Sequence, residues 1–193
     1  ISLFISIPKF FDYEKKSGNI RDILIKNYNL DLIKYSSIKF DVFPFPHLVI
    51  KNADLSLKDQ PFILKSKNFK IFLNIQDLYN YRSSSFKKIK LNENKIKIEI
   101  YNTLAFLNFF KKQEKKISIK NLNLTLNNNE NIILELKNVN FFNYGHRSNK
   151  VDGLIFDKKF EAKFSNKDKK LNFRILKTGI DAELNFDEIK KDN

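Results

Sequence analysis

The sequence contains no cysteine, methionine or tryptophan, and it has only four glycines and four prolines in 193 residues. The absence of cysteine excludes disulfides, thiolate metal sites and thiol nucleophiles. It does not identify the compartment, because an exported chain can also lack cysteine. The absence of methionine means that residue 1 is not an initiator, so we expect either a removed start segment or a fragment.

Sequence motifs of catalysis are also missing. No G-x-S-x-G, P-loop or G-x-G-x-x-G pattern occurs, and the carboxylates mostly alternate with lysines on predicted polar faces. The two histidines, His47 and His146, have no His, Asp or Glu neighbour at metal-ligand spacing. We therefore predict a protein that is not an enzyme and that uses no metal or cofactor, with each histidine solvated or packed.

The residues that are present indicate a folded, basic domain. Apolar residues make up 42% of the chain and charged residues 30%, which argues against wholesale disorder. The net charge of +14 suggests attraction to a polyanion, either nucleic acid or an anionic lipid surface. Compositional bias explains it equally simply, because most lysines alternate with apolar residues where a solvated face would put them. We favour the second explanation.

The N-terminal segment Ile1–Ile7 is apolar and uncharged, and Phe10, Phe11 and the charged run Glu14–Lys16 follow it. Seven residues cannot cross a bilayer, which needs roughly 20 apolar residues. Aromatic residues and lysines directly after an apolar run are typical of a membrane interface. We predict the last two turns of a membrane span, with an edge strand as the alternative.

The apolar spacing predicts one helix followed by many strands. The helix runs from Ile20 to about Tyr28, with Asn19 as its N-cap and Asn29 suited to its end. Alternating residues then predict strands joined by short turns, which is an antiparallel meander. A polar hairpin turn is predicted at Asn92-Glu93-Asn94. A buried helix is predicted at Tyr101–Lys112, with a strand as the alternative. Further strands are predicted at Ile117–Leu126, Ile132–Phe142, Val151–Phe156, Phe160–Phe164, Leu171–Leu176 and Ile180–Phe186.

One break in the alternation is repeated. Lys51-Asn52, Lys120-Asn121 and Lys137-Asn138 each follow two alternating apolar residues, and the apolar set resumes three positions on instead of two. Lys67-Asn68 is a weaker fourth copy. The step is either a β-bulge within one strand or a turn between two strands. We favour the bulge, since a two-residue hairpin would leave very short arms.

Bulges repeated in neighbouring strands would curve the sheet. We therefore predict a mainly β fold, a curved antiparallel sheet forming an open apolar groove, with a few short helices near the N-terminus and in mid-chain. A second sheet covering the apolar face, as in a sandwich, is the alternative. The predicted groove lining is Ile38, Phe40, Val42, Leu48, Ile50, Ala53, Leu55, Leu57, Phe69, Ile71, Leu73, Ile96, Ile98, Ile100, Ile117, Ile119, Leu122, Leu124, Leu134, Leu136, Val139 and Phe141.

The order of these pieces resembles the N-terminal region of the AsmA family, bacterial relatives of chorein-type bridge-like lipid transfer proteins. Pro46–Leu55 is similar to the family pattern P-x-L-x-L/I-x-x-A/V-x-L. Phe69–Ile75, Gln76–Tyr81 and Ile89–Ile100 resemble the strand, turn and strand that follow, and Asn102–Phe110 resembles the next helix. The glycines common in the family's turns are largely replaced here by asparagine and lysine.

The resemblance implies a single-pass inner-membrane protein with this domain in the periplasm, supporting phospholipid transport and outer-membrane biogenesis. The implied partners are phospholipid acyl chains, the inner membrane and envelope proteins, and no nucleic acid is expected. A charge at Ile119 or Leu124 should then block transport more than one at Lys120. The alternatives are a basic nucleic-acid-binding module and a ligand-free structural β-sandwich. The expected parts are 1–13, the end of a truncated anchor and juxtamembrane segment; 14–30, a helix; 31–187, the groove domain; and 188–193, a tail.

Overall fold

A computed structural model of the chain describes residues 12–57, 60–74, 86–111, 113–143, 148–165 and 170–185. The predicted membrane stub Ile1–Ile7 and the turn expected at Gln76–Tyr81 lie outside the described residues.

Strands dominate the described part of the chain. The helices are α1 (Ser17–Tyr28) and α2 (Thr103–Lys111), and the 3₁₀ turn Ile100–Asn102 leads into α2. The strands are β1 (Leu30–Lys34), β2 (Ser37–Asp41), β3 (His47–Leu57), β4 (Ile63–Leu73), β5 (Phe86–Glu99), β6 (Ile117–Asn128), β7 (Asn131–Asn143), β8 (Ser148–Ile155), β9 (Lys158–Ser165), β10 (Lys170–Ile175) and β11 (Ile180–Asn185).

All eleven strands belong to one open sheet with the order β1-β3-β4-β5-β6-β7-β8-β9-β10-β11, and β2 pairs with β3 beside β1. The predicted fold class, a mainly β curved open sheet with a few short helices, is confirmed. The alternative of a second covering sheet is wrong for the described residues, since every described strand joins this one sheet. The meander is interrupted once, because β5 and β6 are parallel. A parallel pair needs a crossover connection, and α2 lies within it.

The predicted hairpin turn at Asn92-Glu93-Asn94 is wrong. These residues lie inside the single strand β5, which continues from Phe86 to Glu99. Glu93 has a φ of 56°, so it is a left-handed step like those predicted at Asn52, Asn121 and Asn138. Asn92 and Asn94 led to the prediction of a turn, because asparagine is common in turns. Here they flank a step within a strand.

Helix α1 begins at Ser17, three residues before the predicted start. Asn19 therefore lies within the first turn and is not the N-cap, a position that Lys16 occupies without a side-chain cap. The apolar face is as predicted, with Ile20, Leu24 and Tyr28 buried. The helix ends at Asn29, whose φ of 54° is the left-handed conformation that commonly closes a helix.

The steps form one row across the sheet. Asn52, Glu93, Asn121 and Asn138 all have φ between 49° and 56°. In β3, β4, β5 and β6 the steps lie side by side, because Lys51 pairs with Asn68 and Ala53 with Ser66, and this spacing continues through β5 to β6. At this row, the side-chain direction of each strand is reset, so that the apolar residues on both sides of the step face the core. Because the reset occurs at paired positions in these neighbouring strands, the hydrogen-bonded pairing continues across it. Each step lies within one strand, so the alternative of a turn between two strands is wrong. The predicted bulge is found at Asn121 and Asn138, where two residues oppose one in the β6–β7 and β7–β8 pairs. At the steps in β3 to β6 the strands are paired one residue to one.

Side-chain amides link the row on its exposed side. Asn52 Nδ2 donates to Ser36 Oγ at 3.0 Å, and Asn121 Nδ2 donates to Asn92 Oδ1 at 3.1 Å. The backbone N–H of Asn121 donates to Asn140 Oδ1 at 3.2 Å. Asparagine therefore serves twice here, because it tolerates the left-handed conformation and bonds the neighbouring strand.

The substitution Asn121→Val should lower the free energy of unfolding by about 1–2 kcal/mol relative to Asn121→Gly. Both variants lose the side-chain bond to Asn92, but only valine is strained at a φ of 52°. Urea unfolding followed by circular dichroism measures the difference. Equal stability of the two variants would mean that residue 121 is not held in the left-handed conformation.

Candidate functional site

The sheet has two unlike faces. We call the face that carries Ile50, Phe69, Ile119 and Phe141 the inner face, because its residues form the apolar core. The outer face carries the lysines and asparagines that alternate with them. The whole predicted groove lining in β2 to β7 points to the inner face, so the sequence assigned the sides of these strands correctly.

Most of that predicted lining is buried within the chain and is not open. The buried members are Ile38, Leu48, Ile50, Ala53, Leu55, Leu57, Phe69, Ile71, Ile96, Ile98, Ile117, Ile119, Leu122, Leu124, Val139 and Phe141. The partly buried members are Phe40, Val42, Leu73, Leu134 and Leu136, and Ile100 is exposed. A ligand groove along β2 to β7 therefore has little apolar surface left to offer.

Helix α2 contributes to this cover. The ring of Phe110 lies 4.3 Å from that of Phe141 on β7, between ring centroids. Phe106 contacts Phe62, which precedes β4, at 5.7 Å. The helix therefore bridges residues near β4 and on β7, and its apolar side chains complete the core. At the other side, Tyr13 before α1 stacks on Phe40 of β2 at 5.7 Å.

A cluster of buried amides fixes the segment that follows α2. Gln113 Nε2 donates to the Tyr28 carbonyl oxygen at 3.0 Å, which joins this segment to the end of α1. Asn143 Nδ2 donates to the Gln113 carbonyl oxygen, and Asn149 Nδ2 donates to that of Phe110, each bond joining β7 or β8 to the segment. All three amide side chains are buried, so removing one takes away a buried hydrogen bond. The Phe110 carbonyl oxygen also accepts a bond from the Gln113 backbone N–H at 3.3 Å. The cover is therefore fastened on two sides.

The inner face opens towards β11. Along one row of paired residues, Phe141 is buried, Val151 is partly buried, Ala162 is buried, Phe173 is partly buried and Ala182 is exposed. Along the next row, Phe160 is buried and Ile175 partly buried, and Ile180 is 52% exposed. No described strand pairs with the far side of β11. The open strip, as we call it, consists of Val151, Ile155, Phe173, Ile175, Ile180 and Ala182.

The strands of the open strip were predicted from the sequence, but their residues were not named as lining. The signal was present, because Phe173 and Ile175, and then Ile180 and Ala182, alternate with charged residues in the same way as the residues that were named. Gly153 also marks the boundary of the strip. A Cβ there would lie 3.0 Å from both the Phe160 ring and the Val139 backbone, so these residues pack directly over β8.

Ion pairs hold the outer side of the strip. Lys170 Nζ lies 2.7 Å from Glu183 Oε1, and Arg174 lies 3.1 Å from Asp181, so β10 and β11 are joined by two charge pairs. Lys150 on β8 lies 3.9 Å from Glu161 on β9. The edge strand thus has its charges on the outer face, and its apolar residues remain on the inner face.

The outer face has a different character over β4 to β6. Lys70 and Lys90 are directly paired across β4 and β5, with Lys88 and Lys120 beside them in one shallow pocket. Burial lowers the pKa of Lys90, and the like charges of Lys88, Lys120 and Lys70 lower it further. Among the described residues, no carboxylate forms an ion pair with any of these four lysines.

His47 is a packed residue, as one of the two predicted possibilities had it. Its side chain is fully buried, it stacks on Phe72 at 5.1 Å, and its Nδ1 donates to the Phe45 carbonyl oxygen at 2.7 Å. Its Nε2 lies 4.0 Å from Asp41. His146 lies outside the described residues.

Neither a metal cluster nor a membrane span is found in the part of the chain that the structure describes. No group of three or more His, Asp or Glu side chains there is placed to hold a metal ion. None of the described helices is both long enough and apolar enough to cross a bilayer. The described part of the sheet presents an apolar surface and a basic surface on opposite faces.

Neither the family models nor the curated proteins that were searched contain a match to this chain.

Proposed function

We propose that this chain is the membrane-proximal part of an AsmA-like lipid-transfer protein of the inner membrane, with the described domain in the periplasm. It would support phospholipid transport and outer-membrane biogenesis. The observation that supports the proposal is the open strip, where the apolar inner face continues beyond the cover that the described residues supply. The resemblance in the order of elements supports it as well.

The proposed mechanism is passive. Acyl chains would lie on the open strip while their headgroups remain in water at its margin. Strands are about 4.8 Å apart, so the strip from β8 to β11 is about 14 Å wide. Each methylene group transferred from water contributes about 0.8 kcal/mol, so such a surface binds lipid without a specific headgroup site. The buried residues of β2 to β7 would support the strip and not contact lipid.

The direct test is the lipid content of the protein purified without detergent, measured by mass spectrometry. We expect wild-type protein to carry phospholipid, and Phe173→Glu and Ile180→Glu each to reduce it several-fold. A carboxylate on the strip would be removed from water beneath an acyl chain, which is strongly unfavourable. Asn172→Glu is the matched control, because it adds the same charge to β10 on the outer face.

Circular dichroism must show that each variant is folded, and Ile180→Glu is the safer of the two because Ile180 is already largely exposed. Wild-type protein without phospholipid would contradict the proposal. So would an equal loss of lipid in Asn172→Glu and Ile180→Glu, since the inner face would then have no special part in binding.

A further inference from the structure

The loop between β2 and β3 places two aromatic residues at the surface beside the unpaired lysines. Phe43 is 83% exposed and Phe45 is 61% exposed, although both are large and apolar. Phe45 lines the same shallow pocket as Lys88 and Lys90. The loop is held in place, because the backbone N–H of Leu73 donates to the Pro46 carbonyl oxygen at 3.1 Å.

The lysines beside this loop form no ion pair with a carboxylate of the described residues, although Asp41 in the same pocket interacts electrostatically with Lys70. Two lysines directly opposite each other in a sheet are destabilising, and here Lys70 and Lys90 form such a pair with Lys88 and Lys120 adjacent. The outer face of β8 to β11 is different, since ion pairs join those strands. The one carboxylate in the pocket, Asp41, accepts a bond from the Phe43 backbone N–H at 3.3 Å and lies close to His47.

We propose that the loop residues Phe43 and Phe45, together with Lys70, Lys88, Lys90 and Lys120, form a docking surface for an anionic lipid bilayer. Lysines at this surface would lie at the level of the anionic headgroups, and the two phenylalanines would enter the boundary between headgroups and acyl chains. The complementary charge and the neighbouring exposed aromatic side chains are the features that select this partner.

A nucleic acid fits this surface less well. Proteins that bind single strands stack bases on exposed aromatic rings of a sheet. On the outer face of the sheet, Phe72 and His47 are buried and stacked on each other, and Phe142 is partly buried with Lys120 Nζ 5.8 Å from its ring centroid. Phe43 and Phe45 lie on the loop beside the sheet. The lysines alone would attract a polyanion, so a nucleic acid is kept as an outcome of the test.

The docking surface is separate from the open strip, because the two lie on opposite faces of the sheet. The inference therefore goes beyond the proposed lipid groove and does not require it. A full chain without a lipid groove can still bind a bilayer through the loop, and a chain that fails to bind a bilayer can still carry phospholipid.

The test is flotation of the full chain with phosphatidylcholine vesicles that contain or lack phosphatidylglycerol. We expect binding to the anionic vesicles to fall about tenfold in the double variant Lys88→Gln/Lys90→Gln, since each lysine near an anionic surface contributes severalfold. The double variant Lys95→Gln/Lys97→Gln is the matched control. It removes the same charge from exposed positions of the same strand, beyond the step, and should bind like wild type.

A second double variant, Phe43→Ser/Phe45→Ser, tests the apolar part and is safe for folding because both side chains are largely exposed. We expect it to weaken vesicle binding severalfold without changing the net charge. Residues 1–11 are common to all variants, so any contribution from them does not distinguish one variant from another.

Three results would overturn the inference. They are no preference for anionic vesicles, an equal loss in the Lys95/Lys97 variant, and tighter binding of a DNA oligomer that depends on Lys88 and Lys90. Lipid content separates this inference from the proposed function. Lys88→Gln/Lys90→Gln should retain any co-purified phospholipid, whereas Ile180→Glu should lose it and still bind vesicles.

Discussion

Replacing Phe141 by alanine is expected to lower the free energy of unfolding by about 3–5 kcal/mol, the range for removing a buried aromatic side chain. Phe141 is almost completely buried, and its ring lies 4.3 Å from that of Phe110 on α2. The substitution removes the contact between the sheet and the helix and leaves a cavity between them. Urea unfolding monitored by circular dichroism gives the change.

Phe142→Ala is the control for this prediction. Phe142 is the next residue on β7 and faces the outer side, where Lys120 Nζ lies 5.8 Å from its ring centroid. Loss of such a contact lowers stability by about 0.5–1 kcal/mol. If the two alanine variants were equally stable, α2 would be a loose cover and not part of the core.

The side-chain pattern of single strands was readable from the sequence because alternation has a period of two. The steps at Asn52, Asn121 and Asn138 were readable too, since a shift of one residue would otherwise expose the apolar set. The step at Glu93 was not, because glutamate is not a residue that signals a left-handed conformation. It is stabilised by its neighbours in the sheet, and its carboxylate accepts a bond from Asn68 at 3.2 Å.

The candidate site depended on information that no single strand contains. The sequence showed that Tyr101–Lys112 is apolar on most sides, but not that α2 reaches both Phe62 and Phe141. Contacts between residues so far apart in the chain follow from the order of strands in the sheet. The lysine cluster has the same origin, because Lys70, Lys90 and Lys120 become neighbours only through the register of β4, β5 and β6.

Most residues of the groove lining predicted from the sequence are buried in the core. A charged substitution at one of them therefore tests the stability of the fold and not the transport of lipid. A charge at Ile119 was expected to block an open groove, but Ile119 is completely buried and pairs with Leu91 and Phe141. The substitution Ile119→Glu is therefore expected to unfold the chain near neutral pH. A buried glutamate has a pKa of about 8–9, against about 4.3 in an unfolded chain.

The sign of the pH dependence follows from this difference in pKa. The folded variant would keep a proton that the unfolded chain releases, so its stability falls as the pH rises from about 4 to about 8. The full penalty is about 5–6 kcal/mol, which is comparable to the whole stability of many domains. We expect Ile119→Glu to be folded at pH 5 and largely unfolded at pH 8 in circular dichroism.

Lys120→Glu is the control, since it places the same carboxylate one residue away on the exposed outer face. It should remain folded at both pH values, with at most the loss of the contact to Phe142. In an open groove, Glu at position 119 would be in water, its pKa would stay near 4.3, and the two variants would behave alike. The pH dependence of Ile119→Glu therefore distinguishes an inner face that the chain covers at β6 from one that is left open for lipid.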